Sequence, residues 1–200
     1  MNSPWDERYA GDDYVFGTEP NDFLRECAAR FSPGSRVLMA AEGEGRNGVW
    51  LAAQGHQVSA MDASLEGRRK ALALAARAGV ELDYELADLA SYDFGVGKWD
   101  VVGFIFAHTL PEVRLPAWRR AAESLKPGGF VVVECYHPRQ LDLNTGGPSD
   151  PSRLVALAEL QSAFADLEQI LGSERLRPVV EGKAHTGEAW VTQFFARRPG

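Results

Sequence analysis

The sequence predicts an α/β fold of the doubly wound, Rossmann-like kind, a mostly parallel sheet with helices on both faces. Short apolar runs alternate with helix-period segments from Arg36 to Tyr136, as repeated strand–helix–strand units with right-handed crossovers require. The first run enters a glycine-rich loop that opens directly into an apolar helix. The run Val101-Val102-Gly103-Phe104-Ile105-Phe106 is almost continuously apolar, the pattern of a central strand covered on both faces.

Pro20-Asn21-Asp22 opens a helix with Phe23, Leu24, Cys27 and Phe31 on one face, and Ser32-Pro33-Gly34 stops it. A strand over Val37–Ala41 leads into the loop Glu42-Gly43-Glu44-Gly45-Arg46-Asn47-Gly48 and a helix over Val49–Ala53. Gly55-His56 turns the chain into a strand from Gln57 to Met61 that ends at Asp62. Ser64 caps a helix running to Gly79, with Arg68, Arg69 and Lys70 on its wet side. A strand at Leu82–Leu86, a loop from Asp88 to Lys98 and the strand from Asp100 to Phe106 follow. A helix fills Pro111–Leu125, Lys126-Pro127-Gly128-Gly129 breaks it, and Phe130–Tyr136 is the next strand. The polar stretch His137–Pro151 is longer than most connections in compact domains and is expected to be functional. A helix over Ser152–Phe164 and a hairpin of Glu168–Leu176 with Ala189–Arg197 complete the elements. Without repeats or a linker, residues 1–200 read as one domain, with an N-terminal lid and helix in 1–32 and a loop on the acceptor side at 137–151.

The 200 residues include 45% hydrophobic and 24% charged side chains, near the average of folded proteins. A formal net charge of -7 disfavours nucleic acid and anionic lipid as partners, and the sequence has no apolar run of membrane-spanning length. A cytoplasmic protein acting on a small molecule, as monomer or homodimer, is expected. Cys27 and Cys135 read as small buried apolar residues. The four histidines, His56, His108, His137 and His185, show no metal-ligand spacing, so no metal is expected. His56 reads as a surface residue and His185 as part of a turn.

Gly43-x-Gly45-x-x-Gly48 matches the dinucleotide-binding pattern, with a strand before it and a helix after it. Glycines there let the backbone approach a ligand closely, and Asp62 stands where a carboxylate grips ribose hydroxyls. An adenosine cofactor follows, either a nicotinamide dinucleotide or S-adenosylmethionine. Glu42 places negative charge where a pyrophosphate would sit, which suits a cationic sulfonium-amine instead. Asp88, after the third strand, can accept an adenine amino group, and the second catalytic domain that a dehydrogenase usually needs is not expected here.

These motifs, with Trp99-Asp100-Val101-Val102 and Leu125-Lys126-Pro127-Gly128-Gly129, resemble the class I S-adenosylmethionine-dependent methyltransferases over nearly the whole chain. Trp5-Asp6-x-Arg8-Tyr9, Phe16-Gly17-x-x-Pro20-Asn21, Gly43-Glu44-Gly45-Arg46-Asn47 and Asn144-Thr145-Gly146-Gly147-Pro148 resemble its branch akin to tellurite-resistance and thiopurine methyltransferases. The resemblance implies a seven-stranded sheet with an antiparallel last strand. It also implies that Gly43, Gly45 and Asn47 meet the methionine part of the cofactor, Asp62 and Ala63 the ribose and adenine, and Asp88 and Leu89 the adenine edge. The backbone at Ile105 and Phe106 would meet the amino group, and Arg8 the carboxylate. Members usually carry an acidic residue at the position of Met39, so Glu42 or a backbone carbonyl would substitute for it here.

The expected function is therefore methyl transfer from S-adenosylmethionine to a small acceptor, such as a thiol or chalcogen. The alternatives are an NAD-dependent oxidoreductase and an inactive module that only binds S-adenosylmethionine. His108, after the fourth strand, is the candidate base, while Tyr136, His137 and Arg139 are candidates for the acceptor pocket. The segment from Trp5 to Phe16 lacks a strand or helix period of its own and is expected to fold over the cofactor as a lid.

Overall fold

The computed structural model describes residues 3–143 and 145–200 except 183 and 184, with only the backbone of His185 described. Seven strands form one sheet in the order β3-β2-β1-β4-β5-β7-β6. They are β1 (Arg36–Ala40), β2 (Gln57–Asp62), β3 (Asp83–Leu86), β4 (Trp99–Ile105), β5 (Leu125–Tyr136), β6 (Glu168–Glu181) and β7 (His185–Arg197). The first five pair in parallel, and β7, last in the chain, is antiparallel to both β5 and β6.

Alternation along the central strands divides the core between two faces. Val37 and Met39 of β1 and Val101 and Ile105 of β4 point toward one face. There they meet α2 (Asp22–Ala28), α3 (Arg46–Ala53) and α4 (Leu65–Ala78). Leu38 and Ala40, with Val102 and Phe104, point the other way, toward α5 (Pro111–Ser124) and α6 (Leu157–Ala163). Met39 is fully buried, and its Sδ would stand 2.7 Å from a Cβ on Gly103 of the neighbouring strand. Both cysteines are buried and unpaired.

The structure corrects several boundaries. The N-terminal segment does have a helix, α1 (Pro4–Tyr9), which Ser3 and Asp6 close with a reciprocal capping box. Helix α3 starts at Arg46, because left-handed Gly45 at φ +88 is its N-cap. The stretch after Tyr136 contains a 3-10 helix at Pro138–Asp142, and the helix expected from Ser152 splits into a 3-10 turn at Pro151–Arg153 and α6. Lys70 lies inside, 3% exposed, rather than on the wet face of α4. Its ammonium pairs with the buried Glu44 at 2.8 Å and donates to the Asp13 carbonyl. Among the described residues, no helix is long and apolar enough to cross a membrane, and no group of three or more His, Cys, Asp or Glu could hold a metal.

Candidate active site

A cavity of about 470 Å³ opens at the carboxyl ends of β1, β2 and β4, where a doubly wound sheet reverses its strand order. The glycine loop forms its floor. Gly43 sits at φ +61, and a Cβ there would come within 2.7 Å of the Tyr9 hydroxyl, so only glycine allows this approach. Gly45 is not in the lining. A Cβ on it would stand 2.5 Å from the Ala71 Cβ, so it brings α4 against the loop.

Three buried carboxylates line the cavity, Asp62, Glu42 and Glu44, the last of them ion-paired with Lys70. Asp62 accepts the Gly43 N–H at 3.0 Å and the Ser64 N–H at 2.8 Å, which aims it across the loop. Burial raises its pKa above its ordinary value, against those hydrogen bonds. Glu42 accepts the Gly48 N–H at 2.6 Å and so caps α3 in place of Gly45, which has no side chain to do so. Burial pushes its pKa up to about 7, opposed by the Gly48 hydrogen bond and the Arg46 charge.

Among the described residues, Ala41 (φ 54) and Phe106 (φ 53) are the only non-glycine residues in left-handed conformation. They directly follow β1 and β4 and both line the cavity, placing backbone strain where the chain leaves the two central strands.

The N-terminal segment forms one wall. Arg8 lies over the rings of Trp5 and Phe16 at 5.3 and 5.4 Å, and Trp5 stacks on Tyr9. Two carboxylates hold the segment down. Asp6 accepts the Ser64 hydroxyl at 2.6 Å and the Glu66 N–H at 3.1 Å at the start of α4, and Glu44 accepts the Val15 and Phe16 N–H groups.

Of the residues expected at the site, Arg8, Glu42, Gly43, Asn47, Asp62, Ile105, Phe106 and His108 line this cavity. Ala63, Asp88 and Leu89 are outside that lining, at and just beyond the ends of β2 and β3. Ala63 and Asp88 are exposed, whereas Leu89 is buried in the α5 face of the core. Tyr136 is fully buried and stacks beneath His108 at 5.2 Å. His137 and Arg139 are also outside the lining: His137 Nε2 stands 3.3 Å from Glu174, and Arg139 lies over Trp190. Gly147 and Pro148 line the cavity, while Asn144 of the same motif and the His185 side chain lie outside the described residues. His56 is half-buried against Phe31.

The sequence reading missed Arg46, Thr109 and Arg153, all of which line the cavity. Arg46 stood inside a quoted motif, yet its partner Glu181 is 135 residues away. No local pattern could have joined them.

Residues 37–129 match the family described as methyltransferase domain. A relative of Mycobacterium tuberculosis, uncharacterized protein Rv1403c, is 35% identical over 109 residues, covering 52% of this chain. The match spans only 38% of that curated relative's length. Among solved structures, one described as "Conversion of a Disulfide Bond into a Thioacetal Group during Echinomycin Biosynthesis" superposes with a TM-score of 0.75 at 20% identity, covering 98% of this chain and 91% of that one. TehB from Haemophilus influenzae superposes at 0.73 with 16% identity, covering 97% and 65%. Residues 37–129 thus match the methyltransferase-domain family, and the chain has the class I S-adenosylmethionine-dependent methyltransferase fold.

Proposed function

We propose that this protein transfers a methyl group from S-adenosylmethionine to a small acceptor of the thiol or chalcogen class. The observation that carries the reading is the cavity itself, in which the Gly43 backbone, Asp62, Glu42 and the β4 end at Ile105–Phe106 converge. The residues fit the cofactor. Gly43 lets Tyr9 close against the loop as a wall of the cavity, Asp62 has a carboxylate for two adjacent hydroxyls, and Glu42 suits an ammonium or sulfonium better than a pyrophosphate. Arg8, ion-paired with no described carboxylate, is available for the cofactor's carboxylate.

S-adenosylmethionine would supply an already activated methyl group on a positively charged sulfur. What remains for the chain is to orient the partners and keep water away. Trp5, Tyr9 and Phe16 supply the dry wall, and their segment acts as the lid, latched by Asp6 on α4 and by Glu44. His108, resting on Tyr136 and Phe106, is the group placed to take a proton from an acceptor that arrives protonated. Support for sulfur chemistry comes from the solved structure concerned with converting a disulfide into a thioacetal.

Titration calorimetry with S-adenosylhomocysteine and NADH tests the cofactor, with binding of the former expected to be at least tenfold tighter. Mass spectrometry of reactions with thiols, selenite and tellurite tests transfer, with a product heavier by one methyl group expected. Failure of S-adenosylhomocysteine to bind folded protein at millimolar concentration would end the proposal.

A further inference from the structure

Arg46 is a buried cation of the cavity lining whose ion-pair partner lies outside that lining. It is the first residue of α3, and its guanidinium forms an ion pair through Nη2 with Glu181, the last residue of β6. Glu181 also accepts from Asn21 at 2.8 Å and from Arg177 at 3.1 Å, while Arg177 makes two hydrogen bonds to the fully buried Glu134 of β5. Two arginines and two glutamates, with the exposed Asp22 4.0 Å from Arg177, thus form a network that fixes the Arg46 head group through Nη2.

The other terminal nitrogen is left over. Nη1 of Arg46 is buried and has no hydrogen-bond partner among the described residues, and the side chain lining the cavity is only 8% exposed. Thr109, after β4, also lines the cavity, and its hydroxyl is buried and unpartnered in the same sense. Native proteins seldom bury donors without partners, and a guanidinium with one arm pinned presents the other in fixed orientation. The network also gives a direction. Asp62 ends β2, on one side of β1, whereas Glu134 and Glu181 belong to β5 and β6, on the far side of β4. The Arg46 guanidinium is therefore held on the β5–β6 side of the cavity, away from Asp62.

We propose that Arg46, with the Thr109 hydroxyl, seats an oxyanion of the methyl acceptor, so that the substrate class is small molecules bearing a carboxylate or similar group beside the atom to be methylated. The assignment to the acceptor rests on the methyltransferase reading; the anion seat itself does not.

The test is equilibrium binding, independent of turnover. Mercaptoacetate and 2-mercaptoethanol have the same chain length and differ in the carboxylate, and their affinities are measured with and without S-adenosylhomocysteine. The wild type is expected to prefer mercaptoacetate at least tenfold. The charge-balanced double variant Arg46→Gln/Glu181→Gln is expected to lose that preference while keeping its affinity for S-adenosylhomocysteine within twofold. Arg46→Lys, which retains a cation for Glu181 but not the second arm, should lose it too and decides the matter if the double variant does not fold. No preference in the wild type, a preference that survives in both variants, or a fall in S-adenosylhomocysteine affinity instead would overturn the proposal. If S-adenosylhomocysteine fails to bind the wild type while the mercaptoacetate preference still depends on Arg46, the methyltransferase reading falls and the anion seat stands.

Discussion

Gly45→Ala and Gly55→Ala together separate backbone strain from packing, because the two glycines share a conformation and differ in surroundings. Their φ angles are +88 and +87. A Cβ on Gly45 would lie 2.5 Å from the Ala71 Cβ and 2.8 Å from its Cα, whereas one on Gly55 meets nothing within 4 Å. Gly55→Ala therefore carries only the left-handed penalty, about 1–2 kcal/mol. The stiffer unfolded chain offsets about 0.4–1 kcal/mol of it. Gly45→Ala adds an overpacking cost of about 1–3 kcal/mol, since the obstacle is helix backbone that cannot swing aside. The expected net loss is then about 1–5 kcal/mol for Gly45→Ala, a sizeable part of the roughly 5–15 kcal/mol a domain commands. With a urea slope of about 2 kcal/mol per molar, the unfolding midpoint should fall by about 0.5–2.5 M for Gly45→Ala and by about 0.5–1.5 M less for Gly55→Ala. Cofactor binding should follow, because α4 also positions Ser64, whose N–H helps aim Asp62. Equal midpoint shifts in the two variants would refute the claim that Gly45 is required by the approach of α4.

Asp62→Ala should weaken S-adenosylhomocysteine binding at least tenfold, with charge-assisted hydrogen bonds contributing about 1.5–3 kcal/mol each; an unchanged dissociation constant in calorimetry would remove Asp62 from the site. The Glu42 carboxyl keeps its proton up to about pH 7 when folded but loses it near its ordinary 4.5 when unfolded. Wild-type stability from this group is therefore full below about 4.5 and declines as pH rises through about 7, so Glu42→Gln should gain on the wild type in urea midpoints taken from pH 5 to pH 8. A constant difference between the two would contradict the buried titration. Asp6→Ala removes the hydrogen bonds from Ser64 and Glu66 that latch α1, so amide exchange over Trp5–Phe16 should quicken and cofactor affinity should fall. Exchange equally slow in both proteins, with and without cofactor, would make the segment a passive terminus.

Periodicity and punctuation by themselves determined the order of strands and helices, the glycine loop and the carboxylate ending β2, because each of these is a local pattern. The continuous apolar run Val101-Val102-Gly103-Phe104-Ile105-Phe106 already implied two covered faces. Ends of elements were less legible. The start of α3 at Arg46 depends on the left-handed turn at Gly45, and α1 on a capping box too short to show as a period.

Only the tertiary structure decided which polar residues go inside. Lys70 occupies a position that reads as the wet face of α4, yet the N-terminal segment covers it and Glu44 neutralises it. Arg46, Glu134 and the Arg177–Glu181 pair of β6 come from three distant points of the chain and are tolerable inside only because they meet one another. His137 and Arg139 adjoin the cavity in sequence but turn to Glu174 and Trp190 on the hairpin of β6 and β7. Local sequence records what a segment prefers, but burial of a charge is set by partners that arrive only when the sheet closes, so the acceptor end of the cavity was the part least visible beforehand.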